Sequence, residues 1–137
     1  MTTKQEVFIS VDVETAGPIP GEYSMLTLGA CCVDDPSRTF SCSIKPISDK
    51  FVPEALEVTG LSLQTLAKDG LPPDVAMLNF AAWVGSQCTQ WELPVFVGLN
   101  APFDWSFVNY YFRRFTGSNP FGFMSVDVMV LYLCARG

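Results

Sequence analysis

Short apolar runs separated by turn residues predict the strands of a sheet. Residues 7–13 form a β-rich run whose polar side chains come towards its C-terminal end, which is typical of a buried central strand. The apolar run 25–33 predicts a second strand, and residues 39–45 alternate apolar with hydroxyl-bearing side chains, the period of a half-exposed third strand. These successive strands predict an antiparallel meander. Residues 93–99 predict a further strand.

Helical spacing and helix-end residues follow in the rest of the chain. Residues 53–58 predict a short helix that has proline in its first turn and Gly60 past its end. A longer helix opens at residues 72–74, and residues 104–115 predict another. The last helix is predicted from about 126 to 135, with Ser125 available as N-cap. Apolar side chains share one face of the longer helix: Met77, Phe80, Ala81, Val84 and Cys88.

Composition narrows the chemistry that this chain can perform. Its 137 residues include 14 acidic and 8 basic residues and no histidine, for a net charge of −6. The acidic balance argues against a broad basic surface for nucleic acid, and the lack of histidine excludes Ser-His-Asp and Cys-His nucleophiles. The five cysteines contain no CxxC pair, and neither a secretory signal nor a membrane-spanning run is recognisable. We expect a cytoplasmic protein without membrane association, in which any catalysis depends on carboxylates.

Three acidic residues are candidates for that chemistry. Asp12 and Glu14 stand at the end of the first strand, where residues two apart point to the same face. Two adjacent carboxylates are costly unless a cation binds between them, and Mg²⁺ and Mn²⁺ prefer such oxygen ligands. The alternative is a solvated strand end. Asp104 stands at the start of a predicted helix, where the alternative is an ordinary acidic residue that interacts with the helix N-terminus.

Three segments resemble motifs of one enzyme family. Residues 8–17, followed by 26–30, resemble the first motif of the DEDD (DnaQ-like) 3'-5' exonuclease superfamily, and residues 97–104 resemble the second, with Leu99 where a histidine often stands. Residues 58–62 are similar to the loop that these enzymes carry between the two motifs. The resemblance implies an α/β fold of ribonuclease-H-like type: a mixed sheet, with an antiparallel three-strand meander plus parallel strands, flanked by helices.

The resemblance also assigns candidate roles to individual residues. It implies that Asp12, Glu14 and Asp104 are catalytic residues that bind two Mg²⁺ or Mn²⁺ ions. Asp12 would bridge the two ions, Glu14 would ligate one and position the attacking water, and Asp104 would complete the second site. Residues implied to contact substrate are Thr15, Asn100, Phe103, Gly60 and Leu61. A loop cap remains the alternative for Asn100, and a core aromatic for Phe103.

The implied reaction is metal-dependent hydrolysis at the 3' end of single-stranded DNA or RNA, which releases nucleoside 5'-monophosphates. The implied partner is a single-stranded 3' end, and the high apolar fraction is compatible with a homodimer. Several basic side chains are interpreted as solvated surface rather than phosphate contacts: Lys45, Lys50, Lys68, Arg113 and Arg114.

The third motif of the family is not recognisable. That motif, His-x-x-x-x-Asp or Tyr-x-x-x-Asp, supplies the fourth carboxylate and the general base, and no stretch of this chain fits either form. Asp127 resembles an earlier family aspartate that is not a metal ligand. We therefore expect residues 1–137 to be a single, C-terminally incomplete exonuclease-like domain with at most trace activity. The alternative is a non-catalytic domain of the same fold that binds metal, nucleic acid or another protein.

Overall fold

The computed structural model describes residues 4–136, which form a five-stranded mixed sheet with helices. The strands are β1 (Gln5–Thr15), β2 (Met25–Cys32), β3 (Thr39–Ser43), β4 (Glu92–Gly98) and β5 (Ser125–Asp127). Their order across the sheet is β3-β2-β1-β4-β5. β1, β2 and β3 pair antiparallel, as predicted, whereas β1 pairs parallel with β4 and β4 parallel with β5. The predicted α/β class, the mixed sheet and its meander are therefore confirmed.

Five helices accompany the sheet in the part of the chain that the structure describes. They are α1 (Pro53–Thr59), α2 (Leu63–Asp69), α3 (Pro73–Ser86), α4 (Ala101–Phe115) and α5 (Val128–Arg136). Within residues 4–136, none of them combines the length and the apolar character needed to traverse a bilayer.

The structure corrects several predicted boundaries. α4 begins at Ala101, three residues before the predicted start, because Pro102 suits a first helical turn. Residues 125–127 form a strand instead of the start of the last helix, since they pair with β4, so Ser125 is not an N-cap. α2 was not predicted, although the Ser62 hydroxyl accepts a hydrogen bond from the Thr65 N–H in an ordinary N-cap. Cys88 lies beyond the end of α3.

The main core lies between one face of the sheet and helices α3 and α4. The β1 side chains that enter this core are Ile9, Val11 and Val13. α3 contributes Phe80 and α4 contributes Phe112, whose ring centroids lie 5.6 Å apart. Because successive side chains of a strand point to opposite faces, this packing turns the intervening residues of β1 away from the core. Those intervening residues include both candidate carboxylates of the strand.

Candidate active site

Asp12 and Glu14 share the face of β1 that is opposite the core. Asp12 is exposed and Glu14 is half-buried. Both line an open cavity of about 350 Å³ on this face of the sheet. The other residues that line it come from the neighbouring strands: Thr27, Leu28, Gly29, Ser41, Cys42 and Ser43. The two carboxylates therefore stand side by side over a floor rich in hydroxyl groups.

Asp104 reaches the same strand from the first turn of α4. Its side chain is 5% exposed, and its Oδ1 accepts a hydrogen bond of 3.0 Å from the backbone N–H of Val13. Val13 lies between Asp12 and Glu14 in the sequence, 91 residues away from Asp104. This hydrogen bond fixes the third carboxylate against the segment of backbone that carries the other two.

The three acidic groups influence each other electrostatically. Burial raises the pKa of Asp104 to about 6; the Val13 N–H opposes this increase, and the negative charges of Asp12 and Glu14 add to it. The pKa of Glu14 is raised as well, first by burial and then by the charge of Asp12. Burial is the larger cause of both shifts, and repulsion between the carboxylates adds to it. A cation bound near these carboxylates would lower both pKa values, because it favours the ionised form.

The donor chemistry of the site fits a hard divalent ion. All three groups offer carboxylate oxygens, which Mg²⁺ and Mn²⁺ prefer. Among residues 4–136, however, no three acidic or cysteine side chains converge closely enough to hold a metal ion between them. The carboxylates thus form an incomplete set of ligands, and their metal-binding role stays a prediction.

The end of β1 brings Thr15 next to the acidic pair. The pairing of β1 with β2 changes register between Glu14 and Thr15, so the regular strand ends there. Thr15 is 7% exposed, and its hydroxyl donates a hydrogen bond of 2.8 Å to the Gly17 carbonyl. The side chain therefore stabilises the turn that follows the carboxylates, and its contact with substrate stays a prediction.

The loop that holds Gly60 and Leu61 is brought beside this turn. Gly60 ends α1 in the left-handed conformation, with φ of 69°, and its N–H donates to the Leu56 carbonyl. Leu61 packs against a small apolar cluster that contains Ala16. The Val52 N–H also donates a hydrogen bond of 2.8 Å to the Ala16 carbonyl. The predicted substrate loop is therefore anchored to the residue that follows Thr15.

Asn100 and Phe103 differ in how far they are available to a ligand. Asn100 is exposed and has a φ of 59° and a ψ of 53°; within residues 4–136 it is the one residue other than glycine with a positive φ. Phe103 is half-buried, packs against the main core and lies 5.3 Å from the Phe107 ring, centroid to centroid. These contacts favour the core role for Phe103. Leu99, next to Asn100, is 67% exposed.

Sequence reasoning missed the part that Asp127 plays at this site. Its Oδ1 accepts hydrogen bonds of 3.0 Å from the N–H of Asn100 and from the N–H of Met129. Asp127 therefore caps α5 and also holds the turn that leads into α4. An aspartate two residues before a helical N–H indicates a cap. The hydrogen bond from the Asn100 N–H depends on the pairing of β4 with β5, which the sequence did not reveal.

Comparison with known proteins decides the family. No protein-family model matches this sequence. The 3'-5' DNA exonuclease Cap18 of Escherichia coli is 56% identical over 132 residues, which are 96% of this chain and 71% of Cap18. The chain belongs to the DEDD 3'-5' exonuclease family.

Solved structures of the same family share the fold. A product-bound exonuclease I superposes with a TM-score of 0.74 at 18% identity, covering 97% of this chain and 32% of that one. E. coli exonuclease I in complex with a dA16 oligonucleotide gives a TM-score of 0.74 at 19% identity, covering 96% and 30%. This chain thus spans about a third of the length of these exonucleases. DEDD exonucleases generally use divalent metal ions.

Proposed function

We propose that this chain provides the metal-binding carboxylates of a 3'-5' exonuclease that hydrolyses the terminal phosphodiester of single-stranded DNA or RNA. Asp12, Glu14 and Asp104 would hold Mg²⁺ or Mn²⁺. The observation that carries the proposal is the hydrogen bond from the Val13 N–H to Asp104, because it joins α4 to β1 between the two other acidic residues. An aspartate that served only the N-terminus of its own helix would not require a hydrogen bond to β1.

The proposed ligands differ in freedom of movement. Asp104 is buried and tied to the backbone, so it would present one carboxylate oxygen from a fixed position. Asp12 is exposed and Glu14 half-buried, so both would adjust to an arriving cation. When bound, a divalent ion supplies Lewis-acid stabilisation of the charge that develops on the phosphate and lowers the pKa of water. The chain's own contribution is to gather and orient negative charge that would otherwise be repulsive.

The proposed pocket for the terminal nucleotide lies around the end of β1. The loop with Gly60 and Leu61 is anchored beside Thr15 through Ala16. Asn100 flanks the first turn of α4, one turn from Asp104. A DNA substrate is supported by two relatives: Cap18 is a DNA exonuclease, and exonuclease I forms a complex with a dA16 oligonucleotide. Hydrolysis that breaks the bond between phosphorus and the 3'-oxygen would release a nucleoside 5'-monophosphate and leave a 3'-hydroxyl on the strand.

The expected rate for these 137 residues is low. The chain has no histidine, so the general base of the histidine-bearing subgroup is not among its side chains. Loss of a general base typically lowers a rate by ~10²–10⁴. A fourth carboxylate is likewise not recognisable. We therefore expect trace hydrolysis rather than efficient turnover.

A second candidate is a non-catalytic domain that retains the fold for binding. It is favoured by the incomplete ligand set, since no three acidic or cysteine side chains between residues 4 and 136 converge on a metal position. Homodimer formation also stays a prediction. The apolar side chains that α5 exposes would be compatible with it: Val130, Leu131, Tyr132 and Leu133.

A cleavage assay separates the two candidates. A 5'-labelled single-stranded DNA oligonucleotide is incubated with Mn²⁺ and the wild-type chain, Asp12→Asn or Glu14→Gln. Glu6→Gln is the matched control, because Glu6 is an exposed acidic residue of β1 placed about 26 Å before Glu14 along the strand. We expect slow shortening from the 3' end with wild type and Glu6→Gln but not with the other variants. Shortening that survives Asp12→Asn would overturn the proposal, and Mn²⁺ binding without any shortening would establish the non-catalytic role.

A further inference from the structure

A groove runs between the loop that follows β1 and the outer face of α4. Its volume is about 610 Å³. We call it the arginine groove, and it is lined by Pro20, Ser106, Asn109, Tyr110, Arg113 and Arg114. The candidate active site does not use any of these residues.

Two adjacent arginines give the groove an uncompensated positive charge. Arg113 and Arg114 are exposed. Within residues 4–136 the salt bridge joins Lys50 to Glu22, and neither arginine forms one with an acidic side chain. The whole chain carries a charge of −6. Two neighbouring cations without acidic partners are therefore a local exception to the charge of the molecule.

Neutral groups hold both guanidinium groups in place. Arg114 Nη1 donates a hydrogen bond of 2.9 Å to the Tyr110 hydroxyl, and Arg113 Nε donates one of 3.3 Å to Asn109 Oδ1. Arg113 Nη2 also donates to the Gly122 carbonyl at 3.1 Å. These partners orient the side chains without cancelling their charge. Each guanidinium group keeps several N–H donors that no protein group occupies in the part of the chain that the structure describes. A phosphate could accept hydrogen bonds from them, because its oxygens match the spacing of the guanidinium donors.

The opposite wall of the groove is formed by Pro20, and the next residue of the loop lies close against α4. Gly21 has a φ of 88°, and a side-chain carbon added to it would lie 2.8 Å from the Tyr110 hydroxyl oxygen. The loop therefore approaches α4 as closely as a residue without a side chain permits. This contact places the loop that carries Pro20 against Tyr110 of α4.

Both walls continue from elements of the candidate active site. The loop begins directly after Thr15, and Arg113 lies nine residues, or about 13 Å along the axis, beyond Asp104 on α4. At 100° per residue, Arg113 and Asp104 lie on opposite sides of the helix. A ligand that touches both must therefore be an extended chain that passes around the loop, and a single nucleotide would not reach.

We propose that the arginine groove binds the phosphodiester backbone of single-stranded nucleic acid upstream of the 3' end, with Arg113 and Arg114 contacting its phosphates. This proposal rests on the proposed function, since it assumes that the 3' end lies at the carboxylates. It replaces the interpretation of these two arginines as solvated surface. The two arginines would supply positive charge for a polyanion at a distance from the proposed metal site, although the chain as a whole is acidic.

Binding of oligonucleotides of two lengths tests the proposal. Fluorescently labelled oligo(dT) is used at lengths of about four and about sixteen nucleotides, which span the site sizes of single-strand-binding domains. Each oligonucleotide is titrated with the protein in a buffer that contains Ca²⁺ instead of Mn²⁺, and fluorescence anisotropy is recorded at several salt concentrations. The variants are Arg113→Ala/Arg114→Ala and the charge-retaining Arg113→Lys/Arg114→Lys. Arg38→Ala is the control, because Arg38 is an exposed arginine that contacts Gln87 instead of the groove.

The double alanine variant should bind the longer strand about tenfold more weakly, and the slope of log K against log salt should fall by about 1.4, the value for two phosphates of a single strand. Binding of the shorter strand should not change, and the double lysine variant should keep most of the salt slope. Equal losses with Arg38→Ala, or equal losses for both lengths, would overturn the proposal. If Asp12→Asn abolishes cleavage but still binds the longer strand more tightly than the shorter one, both proposals are supported. If the double alanine variant binds as wild type does, only the proposal for the arginine groove is contradicted.

Discussion

Asp104 combines burial with a hydrogen bond to β1, and its ionisation should therefore affect stability. Its pKa is raised from 3.8 to about 6, so the folded state favours the protonated form more than the unfolded state does. The stability that this preference contributes is present below pH 4 and is lost as the pH rises through about 6. Ionised Asp104 thus destabilises the metal-free protein at neutral pH.

Asp104→Asn should remove this penalty while keeping an oxygen that accepts from the Val13 N–H. We expect the metal-free variant to gain about 2–3 kcal/mol in free energy of unfolding at pH 8, with the gain vanishing towards about pH 4. Urea unfolding in the presence of a chelator measures both values. An effect of Asp104→Asn that is the same at the two pH values would show that ionisation of Asp104 does not affect stability, which would contradict this prediction.

Asp127 is the residue-scale link between β5, α5 and the turn at Asn100. Asp127→Ala removes the acceptor for two backbone N–H groups, and we expect a loss of about 1–2 kcal/mol in the free energy of unfolding. Asp127→Asn retains the acceptor oxygen and should lose much less. Chemical denaturation of both variants tests this, and equal losses would mean that charge, rather than the two hydrogen bonds, provides the stabilisation.

At the scale of elements, the junction between α2 and the sheet is tightly packed. Gly70 ends α2, and a side-chain carbon added there would lie 2.6 Å from the Leu66 carbonyl oxygen and 2.7 Å from the Lys45 backbone nitrogen. Leu71 forms hydrogen bonds with Ser43 and Lys45 just after this point. Backbone atoms on both sides cannot yield as a flexible side chain would.

Gly70→Ala should therefore cost about 2 kcal/mol or more in the free energy of unfolding. Gly85→Ala is the matched control, because Gly85 lies within α3 and nothing would lie within 4 Å of its added carbon. That substitution should stabilise the protein by about 0.5–1 kcal/mol, through helix propensity. Thermal or urea unfolding compares the two, and a similar effect of both would refute the packing at Gly70.

For the molecule as a whole, local periodicity was sufficient to predict most of the sheet and the shared face of Asp12 and Glu14. The alternation along β1 is a property of neighbouring residues, so it is visible in the sequence. The bond from Val13 to Asp104 was not predictable in this way, because it joins residues 91 positions apart through the parallel pairing of β1 with β4. The three-residue strand β5 was missed because its partner, not its composition, determines it.

The distribution of charge over the molecule follows from the same elements. The carboxylates collect where β1 meets the first turn of α4, while the cations of the arginine groove lie on the last turn of that helix. The proposed division assigns metal ions and the 3' end to the first region and the upstream strand to the second.

Titration with Mn²⁺ monitored by electron paramagnetic resonance tests whether Asp12, Glu14 and Asp104 bind a divalent metal ion. Free Mn²⁺ gives a signal that diminishes on binding, so affinity is measured without any need for activity. Asp12→Asn and Asp104→Asn should weaken binding by at least about tenfold, the loss that even outer partners of a metal site cause, while Glu6→Gln binds as wild type does. Equal Mn²⁺ affinity in all four proteins would contradict metal binding by these carboxylates.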